Sequence, residues 1–390
     1  MSDCPVITIV TPSFNQAAYI GRTIESVISQ EGAFRIEYLV MDGGSTDGSV
    51  ETIGHYAELL KRGDYPIRCA GVRMEWVSGK DRGQSDAINR GLRKAAGAFA
   101  AYINSDDVYC PGAFEFVSRT FLDNPQADFV YGDGDVIDEE GRRQWEWLSR
   151  PYNHRVMTSY HFLWNDFTNY IMQQATFWRT DVHRRIGLFD EDFHFAMDVE
   201  YWTRAGHARL NLLHVPVKLA GFRMISGTKS LSSPVAFWSD QLEIFRRRRG
   251  AGKLSRFLAF YYFNWMKYRN FDLAGARTEA DSIFDRWQAL LGREQAELRR
   301  QSERAFPVAC FLAAIELQKR GDFEGACAAI RLGKDRGNWN SRRLAFFYAS
   351  LNQVLGYKQA RRLDTIVDRS IQLYRRKRFD YRYHRQRSAP

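Results

Sequence analysis

The chain is 390 residues long, 45% hydrophobic and 26% charged, which excludes collagen-like and low-complexity classes and leaves a soluble globular protein of about two to three domains. Five scattered cysteines contain no CxxC pair, so neither a disulfide framework nor a cysteine zinc site is expected. The net charge of +10 is uneven: residues 251–390 carry 28 Lys and Arg against 14 Asp and Glu, whereas residues 1–250 net −4, so two parts with different tasks are expected.

The opening MSDCPVITIV enters a strand with no basic leader, and no apolar run of about 18 residues occurs, so the expected location is cytoplasmic, or peripheral on the cytoplasmic face of a membrane. Val6–Val10 is a β-branched run read as a first buried parallel strand, ended by Thr11-Pro12-Ser13-Phe14-Asn15 and followed by a helix near Tyr19–Ser29. Tyr38–Met41 is a second strand, ended by the Gly-rich acidic loop Asp42–Ser49 and backed by a helix. This β-loop-α alternation predicts a doubly wound, mostly parallel α/β sheet whose loops open on one edge. Such a loop lets backbone approach a ligand while Asp42 accepts hydrogen bonds, as acidic residues do from ribose or base; a plain turn is the other reading. Glu75–Ser78 is a third strand, leading through Gly79–Asp86 into a helix whose N-terminus faces the same edge.

Phe99–Ile103 then reads as a short buried strand that stops at Asn104-Ser105-Asp106-Asp107 before a helix opened by Pro111. A strand end that delivers two adjacent carboxylates to a ligand-binding edge calls for a cation or a donor-rich ligand between them, and a divalent metal is the simplest answer. A capped turn is the alternative for an isolated SDD.

Four stretches in this order, ITIVTPSFNQAAYIGRTIESVISQ, YLVMDGGSTDGS, SGKDRGQSDAINRGL and AYINSDDVYCPGAF, resemble the inverting, nucleotide-sugar-dependent glycosyltransferases of family 2, which have the GT-A fold. The resemblance covers about Pro5 to Ser230. It implies that Thr11 and Pro12 line a nucleotide pocket, that Asp42 and Asp81 contact base or ribose, that Asp106 supports the ribose side, and that Asp107 ligates a divalent Mn²⁺ or Mg²⁺.

Downstream, Asp128–Tyr131, Asp133–Ile137 and Trp145–Leu148 read as strands, followed by the aromatic stretch Tyr160–Tyr170 and then Ile171–Arg179. Aromatic faces with neighbouring amides suit a sugar ring and its hydroxyls, so Gln173, Gln174, Trp178 and Trp202 are candidate acceptor contacts; packing in a core is the competing reading for the aromatics. Asp198, in Phe195–Arg204, opens a helix and suits its N-cap, but the segment resembles the family's base motif, which implies that Asp198 activates the acceptor hydroxyl. Phe222–Ser230 resembles the family's strip that closes over the donor, with Arg223 and Lys229 as cations for the diphosphate. Relatives carry a His two residues after this Arg; here the position is Ile225, so the resemblance supplies no third protein ligand to the metal.

After Arg246–Arg249 strand signals vanish, giving an expected catalytic domain 1–249, with donor half to about 110 and acceptor half 111–249, and a basic helical domain 250–390. The turns Asp322–Ala326 and Gly356–Ala360 lie 34 residues apart and Asp272–Ala276 repeats them, a spacing that resembles tetratricopeptide-type hairpins. Phe257–Tyr268 and the polybasic tail Arg361–Arg387 are candidates for an anionic membrane surface; no nucleic-acid motif accompanies the charge, so nucleic acid is not expected.

The expected activity is therefore transfer of one sugar from a nucleoside-diphosphate sugar, a UDP-sugar first, to a hydroxyl of a glycan acceptor. A lipid-linked acceptor in bacterial surface polysaccharide synthesis suits the basic appendix. The alternatives are a sugar-phosphate nucleotidyltransferase, whose Gly-rich loop TPSFNQ does not supply, and a non-catalytic helical-repeat scaffold.

Overall fold

The computed structural model describes residues 4–158, 171–225, 234–249, 254–282 and 293–336. The chain divides into units Met1–Arg248 and Arg249–Pro390. In the first, β1 (Val6–Ser13), β2 (Arg35–Asp42), β3 (Val72–Ser78) and β4 (Phe99–Tyr102) pair in parallel in the order β3-β2-β1-β4. The register aligns Ser13, Asp42 and Ser78, so three strands end in one row. Helices α1 (Ile20–Ile28), α2 (Ser49–Arg62) and α3 (Gln84–Lys94) follow β1, β2 and β3 in turn. Ile7, Ile9, Ile24, Val27, Tyr38, Val40, Phe99 and Ala101 are buried together in the core they enclose, so the apolar runs of the sequence become its interior.

The second half of the sheet is mixed. After β5 (Val108–Tyr109) and α4 (Ala113–Asp123) come β6 (Phe129–Ile137), β7 (Arg143–Trp147), α5 (His154–Met157), β8 (Thr176–Arg179), α6 (Val182–Ile186), α7 (Met197–His207), β9 (Leu212–Arg223) and α8 (Pro234–Arg249). Beyond β4 the order is β8-β6-β9-β5, with β7 beside β6; β8, β7 and β5 pair antiparallel and β9 pairs parallel to β6. The strands expected at Asp128–Tyr131 and Asp133–Ile137 are one strand, β6, with register shifts between Tyr131 and Gly134 against β9. The sequence reading had no strand at β5, β8 or β9. β5 has two residues, and β9 holds Pro216, which reads as a strand breaker. The helix expected to open at Pro111 begins at Ala113, after Gly112 in the left-handed conformation (φ +78°).

Trp178 and Trp202, expected to face an acceptor, are fully buried in an aromatic cluster with Tyr102, Phe129, Phe189 and Tyr201. That placement removes them as stacking surfaces; they weld α7 to β4, β6 and β8. Trp178→Ala should cost about 3–5 kcal/mol of stability, as a buried aromatic truncation does, measured by denaturant unfolding. A loss below about 1 kcal/mol would return Trp178 to the surface.

In the second unit, α9 (Ser255–Tyr268) and α10 (Leu273–Ser282) form one helical hairpin and α11 (Arg293–Lys319) and α12 (Phe323–Arg336) another. Their turns are alike: Asp272 Oδ1 accepts the Gly275 N–H at 2.9 Å, and Asp322 Oδ1 accepts the Gly325 N–H at 2.8 Å. The repeat at 356–360 lies outside the described residues. Phe257, Phe260, Tyr261, Tyr262 and Trp265 are buried, and Tyr261 and Tyr262 bond Glu279 and Ser302, so the aromatic run of α9 is core and not a membrane face. The tail 361–387 lies outside the described residues, and no described helix is long and apolar enough to cross a membrane.

Candidate active site

The row of strand ends carries the first part of the site. Asp42, at the end of β2, accepts the N–H groups of Gly44 (3.0 Å) and Ser45 (2.9 Å) and the hydroxyls of Ser45 (2.5 Å) and Ser78 (2.6 Å). Burial opposes ionisation, yet the Ser45 and Ser78 hydroxyls and these N–H groups together hold its carboxyl below the ordinary value. The loop after β2 is zipped to the loop after β1. Asn15 N–H donates to Ser45 Oγ (2.8 Å), Thr46 N–H to Asn15 Oδ1 (2.9 Å) and Ala17 N–H to Asp47 (2.9 Å). Two loops of separate origin thus form one rigid wall.

Asp81 joins that wall through Gly43. A methyl at Gly43 would stand 2.8 Å from Asp81 Oδ2 and 3.4 Å from the Phe14 ring, so glycine is what lets the three meet. Phe14 is 61% exposed there, an aromatic ring near Gly43 that sequence reasoning passed over; an aromatic residue directly after the first strand was the available signal. Ser13 is a second omission: at the same strand end its buried hydroxyl has no partner among the described residues. Thr11 and Pro12 are both buried, and Thr11 Oγ1 accepts the Tyr38 hydroxyl at 3.1 Å, so these two back the wall from beneath.

The two adjacent carboxylates have opposite surroundings. Asp107 is fully buried; its carboxylate accepts the Arg223 N–H (2.8 Å) and the amides of Gln174 (2.9 Å) and Asn104 (3.2 Å). Asn104 is itself held by Gln84 (2.6 Å), and Gln173 donates to the Tyr102 carbonyl (2.8 Å). Gln173 and Gln174, expected as acceptor contacts, are thus buried supports of the Asp107 turn. Burial and then the Asp106 charge push the Asp107 carboxyl well up. Asp106 is partly exposed and, among the described residues, its carboxylate takes only its own N–H; burial raises it as well.

Arg223, expected to meet a diphosphate, is also a support. It is buried and donates to the carbonyls of Asp106 (2.8 Å), Asp138 (2.5 Å) and Glu139 (2.8 Å), with its guanidinium 5.0 Å from the Tyr19 ring centre. The N–H of Arg223 therefore holds the Asp107 carboxylate while its side chain holds the Asp106 carbonyl, so one residue fixes the turn from two directions. Lys229 lies outside the described residues.

Asp198 stands at the second position of α7, not at its cap, which is Ala196 and gives no side-chain bond. Its Oδ1 accepts the Val199 N–H at 2.8 Å. Burial, then the fields of Asp198 and Asp107, push the Tyr102 phenol far above its ordinary value, so both carboxylates stand near this one residue of β4. The other acids of the turn are engaged by arginines: Asp190 by Arg247 (2.8 Å), Glu191 by Arg82 (2.7 Å) and Glu200 by Arg204 (2.7 Å). Asp86 and Asn89 on α3 serve the same stitching, Asp86 to Arg82 and Arg90 and Asn89 to the backbone of Phe189.

No group of three or more His, Cys, Asp or Glu among the described residues could cage a metal ion. The donor set fits a different kind of site, since Mg²⁺-type ions take one or two carboxylates and complete their shell with substrate phosphate and water. Asp106 offers such a partly exposed carboxylate, adjacent in the turn to the buried Asp107.

A mixed sheet whose parallel strands β1 to β4 end on one edge has the GT-A arrangement. The family model described as glycosyl transferase family 2 matches residues 8–187. An uncharacterized glycosyltransferase of Mycobacterium tuberculosis is 28% identical over 208 residues, 53% of this chain and 70% of that protein. A PGL/p-HBAD biosynthesis glycosyltransferase of Mycobacterium bovis is 25% identical over 210 residues, 51% and 69% of the two. Among solved structures, S. aureus TarS 1-349 in complex with UDP aligns at 14% identity over 85% of this chain and 92% of that one, with a TM-score of 0.45.

Proposed function

We propose that this glycosyltransferase inverts configuration while moving a single sugar from a nucleoside-diphosphate sugar, a UDP-sugar first among donors, to a hydroxyl of a glycan. A lipid-linked acceptor in cell-envelope polysaccharide or glycolipid synthesis suits it best. The observation behind this reading is that the parallel strands β1 to β4 end on one edge, where the loops after β2 and β3 bring Asp42 and Asp81 together at Gly43 and the turn after β4 carries Asp106 and Asp107, with the charges of Asp107 and Asp198 both acting on Tyr102 of β4.

Phe14 offers its face to the base, and Asp42 and Asp81 offer acceptors to base and ribose. Asp198 takes the proton of the acceptor hydroxyl as that oxygen attacks the anomeric carbon from the face opposite the diphosphate, which inverts the centre. Asp106, in place of the buried Asp107, would hold a divalent Mn²⁺ or Mg²⁺. When bound, such an ion neutralises charge on the departing diphosphate. The basic residues of 361–387 are the part that would rest on an anionic membrane surface, which would keep the enzyme peripheral on the cytoplasmic face.

A thermal-shift panel of UDP, GDP, ADP, CDP and TDP with Mn²⁺ or Mg²⁺ tests the reading. One nucleotide should raise Tm only with metal, since ligand at a hundredfold its Kd adds about 2.7 kcal/mol. Phe14→Ala should weaken that nucleotide about tenfold and leave the apo Tm unchanged, because an exposed ring contributes stacking and little packing. No shift with any nucleotide at millimolar concentration would overturn the proposal.

A further inference from the structure

The N-terminus of α7 depends on another helix. Its first N–H groups have no intrahelical carbonyl, and Ala196 at the cap has no side chain to satisfy them. Asp240 on α8 instead holds the chain where it enters α7, its Oδ2 accepting the N–H of the cap residue Ala196 at 3.1 Å and of Phe195, just before it, at 2.7 Å. Two turns further along α8, Arg247 bonds Asp190 (2.8 Å) and Asp192 (3.2 Å) and lies 4.8 Å from the centre of the Phe193 ring. Glu243, one turn before it, braces the same guanidinium at 2.7 Å. One face of α8 therefore grips residues 190–196 at both ends, immediately before the turn that presents Asp198.

We infer that Asp240 and Arg247 are positioning residues for catalysis, and that α8 is a splint that sets where the Asp198 carboxylate stands. The inference rests on Asp198 being the base. Neither residue need touch donor or acceptor. A carboxylate that accepts two N–H groups at a helix start fixes the direction in which the helix leaves, and Asp198 is only two residues past Ala196. Displacement of a reacting group by about 1 Å costs about 10²-fold in rate. The wall that holds nucleotide is built from other loops, so the predicted loss falls on the chemical step alone.

The test uses the full chain with the UDP-sugar and p-nitrophenyl glycoside that wild type turns over fastest, and Mn²⁺–UDP calorimetry beside it. Asp240→Ala should lower kcat about 10²-fold while the Mn²⁺–UDP Kd stays within about twofold of wild type. Asp240→Asn, whose amide oxygen still accepts an N–H, should recover most of that loss. Arg247→Gln should lower kcat about tenfold and gives a second reading if Asp240→Ala does not fold. Asp240→Ala added to Asp198→Asn should slow the enzyme no further than Asp198→Asn alone, because both act through one carboxylate.

A slow Asp198→Asn enzyme beside an Asp240→Ala enzyme of wild-type rate overturns this inference and leaves the base in place. Loss of Mn²⁺–UDP affinity in step with kcat overturns it too, as does further slowing in the double variant, since either marks general loosening. An Asp198→Asn enzyme of wild-type rate instead overturns the base assignment, and this inference falls with it.

Discussion

Replacing Asp198 by Asn should lower kcat by about 10²–10⁴-fold, the usual contribution of a positioned general base, while leaving the affinity for nucleotide and metal close to wild type. The side chain keeps its size and its oxygen toward the Val199 N–H, so the start of α7 should not change. A purely structural role through the Val199 N–H would instead predict little loss of rate or stability, since Asn can accept the same bond; Ala196, not Asp198, is the cap residue. The competing acids Glu191 and Glu200 are held by Arg82 and Arg204, so their substitution should affect stability more than rate. Steady-state transfer from the donor found in the nucleotide panel decides the matter. A near wild-type Asp198→Asn rate would move the base to another group.

The donor half of the fold was legible because β1, β2 and β4 are buried, largely apolar runs, and the loops after the parallel strands open on the same edge. The acceptor half was less so. β9 mixes His, Pro, Lys and Gly in a 12-residue strand, since it pairs on two sides while its faces differ in burial along its length. Sequence could mark Asp106 and Asp107 as a pair but not say which faces out, because that depends on Gln174 and Arg223, 67 and 116 residues away. The same distance effect misplaced Trp178, Trp202, Gln173, Gln174 and Arg223. Large aromatics, amides and an Arg suit a sugar or a phosphate, and they equally suit the supports of a buried carboxylate. Asp240 left no sequence signal at all, since its partners are backbone N–H groups of a distant turn.

The second large effect separates the two adjacent acids by what is lost. Asp106→Asn should abolish metal-dependent nucleotide binding without lowering the apo Tm, because its carboxylate takes no donor from another described residue. Asp107→Asn should do the opposite. Its two oxygens accept from both sides, Arg223 on one and Gln174 and Asn104 on the other, and an amide can keep an oxygen on only one of them. A buried donor left facing an NH₂ group costs about 1–3 kcal/mol, which for a unit of this size lowers Tm by about 2–4 °C per kcal/mol. The pH dependence carries the same signature. Both carboxyls are raised by burial, so the folded apo protein holds more protons than the unfolded chain between about pH 4 and their raised values. Their contribution to apo stability must fall as pH rises through that window. A cation competes with those protons, so Mn²⁺–UDP affinity should weaken as pH drops, and saturating Mn²⁺–UDP should flatten the apo decline. Calorimetry with Mn²⁺ and UDP across pH, beside thermal unfolding of each variant, makes the comparison. If Asp107→Asn loses metal-dependent binding at an unchanged apo Tm while Asp106→Asn keeps it, the metal belongs on Asp107.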